Sequence, residues 1–128
     1  MMKTINGAMF RKMILAGSTN LEQNKKTVDL LNVYPVADND TGTNMGLTLK
    51  TAANELNKCT SNKMEDLCVA LAKGALRGAR GNSGVILSQI LKGISTVVKQ
   101  KEEITTKIFA KSTFPPWNKL VLQFSCVM

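Results

Sequence analysis

The 128-residue sequence contains no histidine, three cysteines, three prolines and few aromatic residues. Without histidine there is no histidine base, metal ligand or phosphohistidine, so acid–base chemistry would fall to aspartate, substrate or solvent. Cys59, Cys68 and Cys126 form no CxxC pair and are odd in number. A disulfide framework or a structural zinc site is therefore not expected, and we predict that the cysteines are small buried apolar residues.

Long apolar runs are also absent. No run approaches the ~20 residues that a membrane helix needs, and the N-terminal segment MMKTINGAMFRK has no long apolar region typical of a secretory signal. We therefore expect no membrane span and a cytoplasmic location. Aromatic residues make up only 5% of the chain, too few for a base-stacking platform, so nucleic acid is not an expected partner. The net charge of +8 nevertheless suits an anionic partner.

The apolar residues that are present recur with helical spacing. This spacing predicts helices over about 5–22 and 28–32, the second capped by Thr27, and later helices capped by Thr43, by an Asn62-x-x-Glu65 box and by Ser83. A last helix should begin near Ile104 or Thr105. No strand shows clear alternation. We predict an all-α fold, a bundle of antiparallel amphipathic helices.

The segment PVADNDTGTNM at 35–45 interrupts this pattern with two carboxylates. Asp38 and Asp40 can converge on one Mg²⁺, and the helix start that follows favours a phosphate. An EF-hand is excluded because its closing glutamate would fall at Leu49. An aspartyl-phosphatase motif disagrees with Gly42 and with the missing strand. The alternative left open is an Asx-rich turn that only caps a helix.

A second polar loop, GARGNSG at 78–84, also opens a helix. It fits neither GxxxxGK[ST] nor GxGxxG. Its backbone amides near Asn82 and Ser83 could hold an anion that Arg80 also reaches, or the loop could be a tight helix–helix connection. In an antiparallel bundle the starts of alternate helices lie at one end, so we expect both loops to face one site. Phosphoryl transfer suits a chain without histidine because it relies mostly on positioning and metal ions.

LNVYPVADNDTGTNM together with GARGNSGVILSQI resembles the DhaL-like domain of dihydroxyacetone (glycerone) kinases. The resemblance is closest to the N-terminal domain of the fatty-acid kinase A subunit and runs from Ile5 to about Lys111. It implies an all-α barrel that binds ATP and two Mg²⁺ at one end. It also implies a kinase that phosphorylates glycerone or an acyl carboxylate, the latter presented by a separate acyl-binding protein.

The resemblance assigns roles to individual positions. Asp38 and Asp40 match metal-binding aspartates. A third aspartate of the dihydroxyacetone-kinase branch corresponds to Val33, so we expect Asn32, with Asp29 as second choice, to replace it. The positions that match the nucleotide-contacting segments are Thr41, Gly42, Thr43, Asn44, Asn82, Ser83 and Gly84.

The sequence departs from the family in three places. Ala37 replaces a proline, and Asn39 replaces a glycine at a position where, if φ is positive, asparagine is the best tolerated substitute. The family domain is also longer, and the resemblance ends near residue 112. We therefore expect residues 1–111 to form an incomplete, C-terminally truncated DhaL-like domain and 112–128 a divergent tail, disordered or frame-shifted. The alternative function is a non-catalytic helical module that binds a protein or an anionic partner through its basic surface.

Overall fold

The computed structural model describes residues 4–32 and 39–112. Within these ranges the chain forms five helices and two short strands. The helices are α1 Gly7–Leu30, α2 Thr41–Lys58, α3 Met64–Gly78, α4 Gly81–Val98 and α5 Thr106–Ser112, and the strands are β1 Thr4–Asn6 and β2 Glu103–Thr105. The all-α prediction is confirmed. The predicted tail 112–128 lies outside the described residues except for Ser112, which ends α5, so the proposed domain boundary stays a prediction.

The first helix is longer than predicted. Residues predicted as a helix, a break and a second short helix form the continuous helix α1, which spans 24 residues. Its N-terminus is capped by the Asn6 side chain, which accepts a hydrogen bond from the Met9 amide at 3.0 Å. Thr27 does not cap a helix, because its carbonyl accepts from the Leu31 amide at 3.2 Å inside the last turn. The polar residues between the two predicted segments are mostly exposed, and the helix has no proline to break it.

The other predicted caps are also displaced. Asp40 and Arg80 occupy the cap positions of α2 and α4, and Thr43 and Ser83 lie in the first turns. Before α3 the cap is Lys63, and the Asn62 side chain instead accepts a hydrogen bond from Arg11 at 3.2 Å. The caps of α2 and α4 thus lie three residues before the predicted ones, and the cap of α3 lies one residue after the predicted one. The predicted capping side chains at Thr43, Asn62 and Ser83 instead form hydrogen bonds to other helices.

The two strands were not predicted. β1 and β2 pair antiparallel, with Ile5 opposite Ile104. Both isoleucines are buried in the core. Three residues are too few to show alternation, and the partners lie about a hundred positions apart in sequence, so no local pattern reveals the pairing. The last helix consequently begins at Thr106, where Thr105 Oγ1 accepts from the Ile108 amide at 3.1 Å.

Helix α2 lies at the centre of the bundle and contacts α1, α3 and α4. The core between these helices is apolar, and its largest fully buried side chains include Phe10, Leu56, Leu67 and Leu71. Cys68 belongs to this core, as predicted, and burial raises the pKa of its thiol to about 11. Cys59 is only partly buried, and Cys126 lies beyond the described ranges. No helix of the described ranges combines the length and apolar character needed to cross a membrane.

Candidate nucleotide and metal site

The turn before α2 is set by a residue in the left-handed region. Asn39 has a φ of 56°, the only described residue other than glycine with positive φ. With its amide nitrogen turned toward the preceding helix, it donates to the carbonyls of Asp29 at 3.1 Å and Asn32 at 3.2 Å. The condition stated for this position is therefore met: φ is positive, and asparagine is among the residues that tolerate it best. This turn presents Asp40 at the start of α2.

A carboxylate from the preceding helix caps α2. Asp29, in the last turn of α1, accepts from the Thr43 amide at 2.9 Å and from the Thr43 hydroxyl at 2.6 Å. These bonds, the hydroxyl one foremost, lower the pKa of Asp29 below its usual value. A negative charge at a helix N-terminus also interacts favourably with the helix dipole. Asp29 therefore fixes the start of α2 against α1. The sequence analysis had proposed it only as the second choice for a metal ligand.

Replacing Asp29 with asparagine should lower the thermal unfolding midpoint at pH 7. Because the folded-state pKa of Asp29 is lowered, its contribution to stability is present above the unfolded-state pKa of ~4 and is lost as pH falls through the folded-state value. The midpoint difference between wild type and variant should therefore shrink from pH 7 toward pH 3, measured by circular dichroism. Glu102→Gln at the far end of the bundle is the control. A difference that stays constant over this range would contradict the assignment.

The start of α4 approaches the same turn from the other side. Gly81 has a φ of 64°, and a Cβ at this position would overlap the side-chain amide of Asn44 on α2. Glycine is required there both for its backbone conformation and for this close contact. Arg80 precedes it with an exposed side chain, and Asn82 is exposed as well. The second loop therefore presents a cation and the first turn of α4 at the solvent-facing end of the bundle.

The two polar loops meet at one end, as the sequence predicted. The Ser83 hydroxyl donates to the carbonyl of Thr41 at 3.4 Å, and Asn44 lies against Gly81. Two helix N-termini, those of α2 and α4, therefore open onto the same surface. Backbone amides at helix starts favour anions such as phosphate. Of the predicted nucleotide-contacting positions, the structure brings Thr41 and Asn44 next to 81–84, while Gly42 is buried against α1 and Thr43 is bonded to Asp29.

Oxygen donors gather beside these helix starts. Asn32 Oδ1 accepts from the Asp40 amide at 3.3 Å, so the two predicted ligands Asn32 and Asp40 are neighbours. Asp38 lies outside the described residues, as does Val33. Carboxylate and amide oxygens are the donor types that Mg²⁺ prefers, so the chemistry of this set fits that ion. Within the described ranges, however, no three His, Cys, Asp or Glu side chains form a group able to hold a metal.

A cleft lies at the opposite end of the bundle. It measures about 790 Å³ and is bordered by the start of α1, the α2–α3 connection and residues 99–103. Its rim mixes lysines with glutamates, and none of the sequence-predicted site residues lines it. This cleft is therefore not the predicted site, which we place where the two motifs and the oxygen donors meet.

Comparison with known proteins identifies the family of the chain. The family model described as the DAK2 domain matches residues 35–113, which include both loops. Protein YloV of Bacillus subtilis (strain 168) is 49% identical over 108 residues, covering 84% of this chain and 20% of YloV. An uncharacterized protein of Staphylococcus aureus (strain USA300) is 46% identical over 112 residues, covering 88% of this chain and 20% of that protein.

The family model covers more than half of the chain, and the structure is an all-α domain. The chain belongs to the DAK2 domain family, and the resemblance to the DhaL-like domain is confirmed at that level. It spans about a fifth of the length of the curated relatives that it matches.

Proposed function

We propose that this chain supplies the Mg·ATP-binding part of a kinase that transfers the γ-phosphoryl group of ATP. The observation that carries the proposal is the junction of the two motifs, where the Ser83 hydroxyl meets the Thr41 carbonyl at the starts of α2 and α4. Asp38, Asp40 and Asn32 would hold Mg²⁺, which neutralises phosphate charge when bound. The phosphates would lie against Thr41, Asn44 and the 82–84 segment, while Gly42, buried against α1, would hold the start of α2 in place.

The contacts refine two of these roles. Thr43 already uses its amide and hydroxyl to hold Asp29, so we propose that it acts by fixing the turn. Arg80, exposed beside Gly81, adds positive charge toward the phosphates. Since the chain has no histidine, proton transfer during the reaction would fall to an aspartate, to the substrate or to solvent.

The acceptor that we propose is an acyl carboxylate presented by a separate acyl-binding protein, or glycerone. Both suit a site that contributes mainly positioning and charge neutralisation. Transfer of labelled γ-phosphate to a fatty acid or to glycerone, measured with the full-length relative and with this chain, distinguishes the two. Hydroxylamine releases the label from an acyl phosphate and leaves a phosphate ester intact.

Alanine at either aspartate should abolish most Mg²⁺-dependent nucleotide binding. Asp38→Ala and Asp40→Ala each remove a hard oxygen ligand, and we expect Mg·ATP affinity to fall at least tenfold by calorimetry while helical content stays unchanged. Glu102→Ala removes the same charge at the far end and should bind as wild type does.

Unchanged Mg·ATP affinity in both aspartate variants would refute the metal assignment. A wild-type chain that binds no Mg·ATP but binds an anionic partner with steep salt dependence would support the non-catalytic interaction module instead.

A further inference from the structure

One buried hydroxyl connects the two loops. Thr48 lies two turns into α2 and is fully buried. Its Oγ1 lies 2.8 Å from the carbonyl of Asn44 and 3.0 Å from the carbonyl of Gly78, to which it donates, and it accepts from the Arg80 amide at 3.3 Å. A single side chain of α2 therefore bonds to the end of α3 and to the cap residue of α4.

These contacts fall where the backbone needs them. Only Ala79 and Arg80 separate α3 from α4. The Gly78 carbonyl and the Arg80 amide flank this abrupt junction, and polar backbone groups at such buried positions require partners. Thr48 supplies a partner to both.

The neighbouring glycine allows Thr48 to reach them. A Cβ at Gly84 would overlap Thr48 Oγ1 and would lie 3.4 Å from the Asn44 carbonyl. The first turn of α4 can therefore rest directly on the Thr48 hydroxyl. The spacing between the starts of α2 and α4 is set at this contact, one helical turn below Asn44.

We infer that Thr48 is a positioning residue for the nucleotide site. It holds the α4 start, with Arg80 and Gly81, at the distance from Asn44 and Thr41 that lets both loops contact one polyphosphate. This inference rests on the proposed Mg·ATP function. It makes Thr48 a determinant of phosphate geometry that does not itself touch the ligand.

Two substitutions separate positioning from packing. Thr48→Val keeps the shape of the side chain and removes the hydroxyl, whereas Thr48→Ser keeps the hydroxyl and removes the methyl group. A purely packing role predicts that valine preserves function better than serine. A positioning role predicts the reverse.

The test combines amide exchange with nucleotide titration on the full chain. In Thr48→Val, hydrogen exchange of the Arg80 amide, measured by NMR without nucleotide, should accelerate about tenfold, because its acceptor is lost. Amides in the middle of α1 should exchange as in wild type. The Kd for Mg·ATP should rise at least fivefold in Thr48→Val and stay within twofold of wild type in Thr48→Ser.

Wild-type exchange and affinity in Thr48→Val, or equal losses in both variants, would overturn the inference. Failure of the proposed function gives a different result. If wild type binds no Mg·ATP, the nucleotide role of Thr48 falls with that function, and the Arg80 exchange rates still decide whether Thr48 holds the two loops together.

Discussion

Replacing Arg11 with methionine should reduce the free energy of unfolding by about 3 kcal/mol. The Arg11 guanidinium donates to the carbonyls of Leu56 at 2.6 Å, Cys59 at 2.6 Å and Ser61 at 2.8 Å. These carbonyls lie at and just beyond the C-terminus of α2, where several backbone acceptors lack helical partners and where a cation is favoured, although the Leu56 carbonyl also accepts from the Cys59 amide at 3.1 Å. Methionine fills part of the space and satisfies none of them.

Urea denaturation followed by circular dichroism measures this loss. Lys12→Met is the matched control, since Lys12 is the exposed neighbour on the same helix and should change stability little. Arg11→Lys should fall between wild type and Arg11→Met, because one ammonium group cannot reproduce the forked donor geometry. Equal stability of Arg11→Met and Lys12→Met would show that these bonds contribute nothing net.

Substituting Gly42 with alanine should destabilise the fold by about 2 kcal/mol through overpacking. A Cβ at Gly42 would overlap the backbone carbonyl of Lys25 and would lie 2.9 Å from Val28 Cβ. Backbone atoms of α1 cannot rotate away as a side-chain tip can, so α1 and α2 must separate. This separation also pulls Asp29 from Thr43, and we therefore expect weaker Mg·ATP binding in the same variant.

Gly17→Ala provides the matched control on α1. Apart from its chain neighbours and the backbone of its own helix, no atom lies within 4 Å of a Cβ at Gly17. Alanine there therefore gains helix propensity without a clash and should stabilise the protein by about 0.5–1 kcal/mol. The two glycine variants should therefore shift the urea midpoint in opposite directions. A Gly42→Ala variant as stable as wild type would contradict the close α1–α2 contact.

Helical periodicity in the sequence was enough to predict the class of the fold and the grouping of the two loops. Apolar residues such as Leu49, Leu56 and Leu71 are buried in the core because their helical spacing places them on one face of each helix. The junction of both motifs at one end followed from the alternation of helix directions. The helical spacing is a local feature of the sequence, and the grouping of the loops needs only the antiparallel order of the helices in addition.

Helix ends and buried polar contacts depended on residues distant in sequence. Thr43 is a good capping residue, but Asp29 from α1 recruits it, and Asp40 takes the cap position instead. The sequence contained one weak indication that Thr48 makes a buried polar contact. Thr48 lies on the same helix face as Ala52 and Leu56 and is polar where they are apolar. Its partners Gly78 and Arg80 could not be identified without the packing of α3 and α4.

The pairing of β1 with β2 bears on the order in which the chain folds. Thr4 bonds to Glu103, 99 positions away, whereas α1 through α4 pack mainly against near neighbours in sequence. Contacts between distant residues carry a larger loop-closure entropy and form late. During synthesis the four-helix core can therefore assemble before residues 103–105 leave the ribosome, so this two-stranded pairing closes after the helices α1 to α4 that it joins.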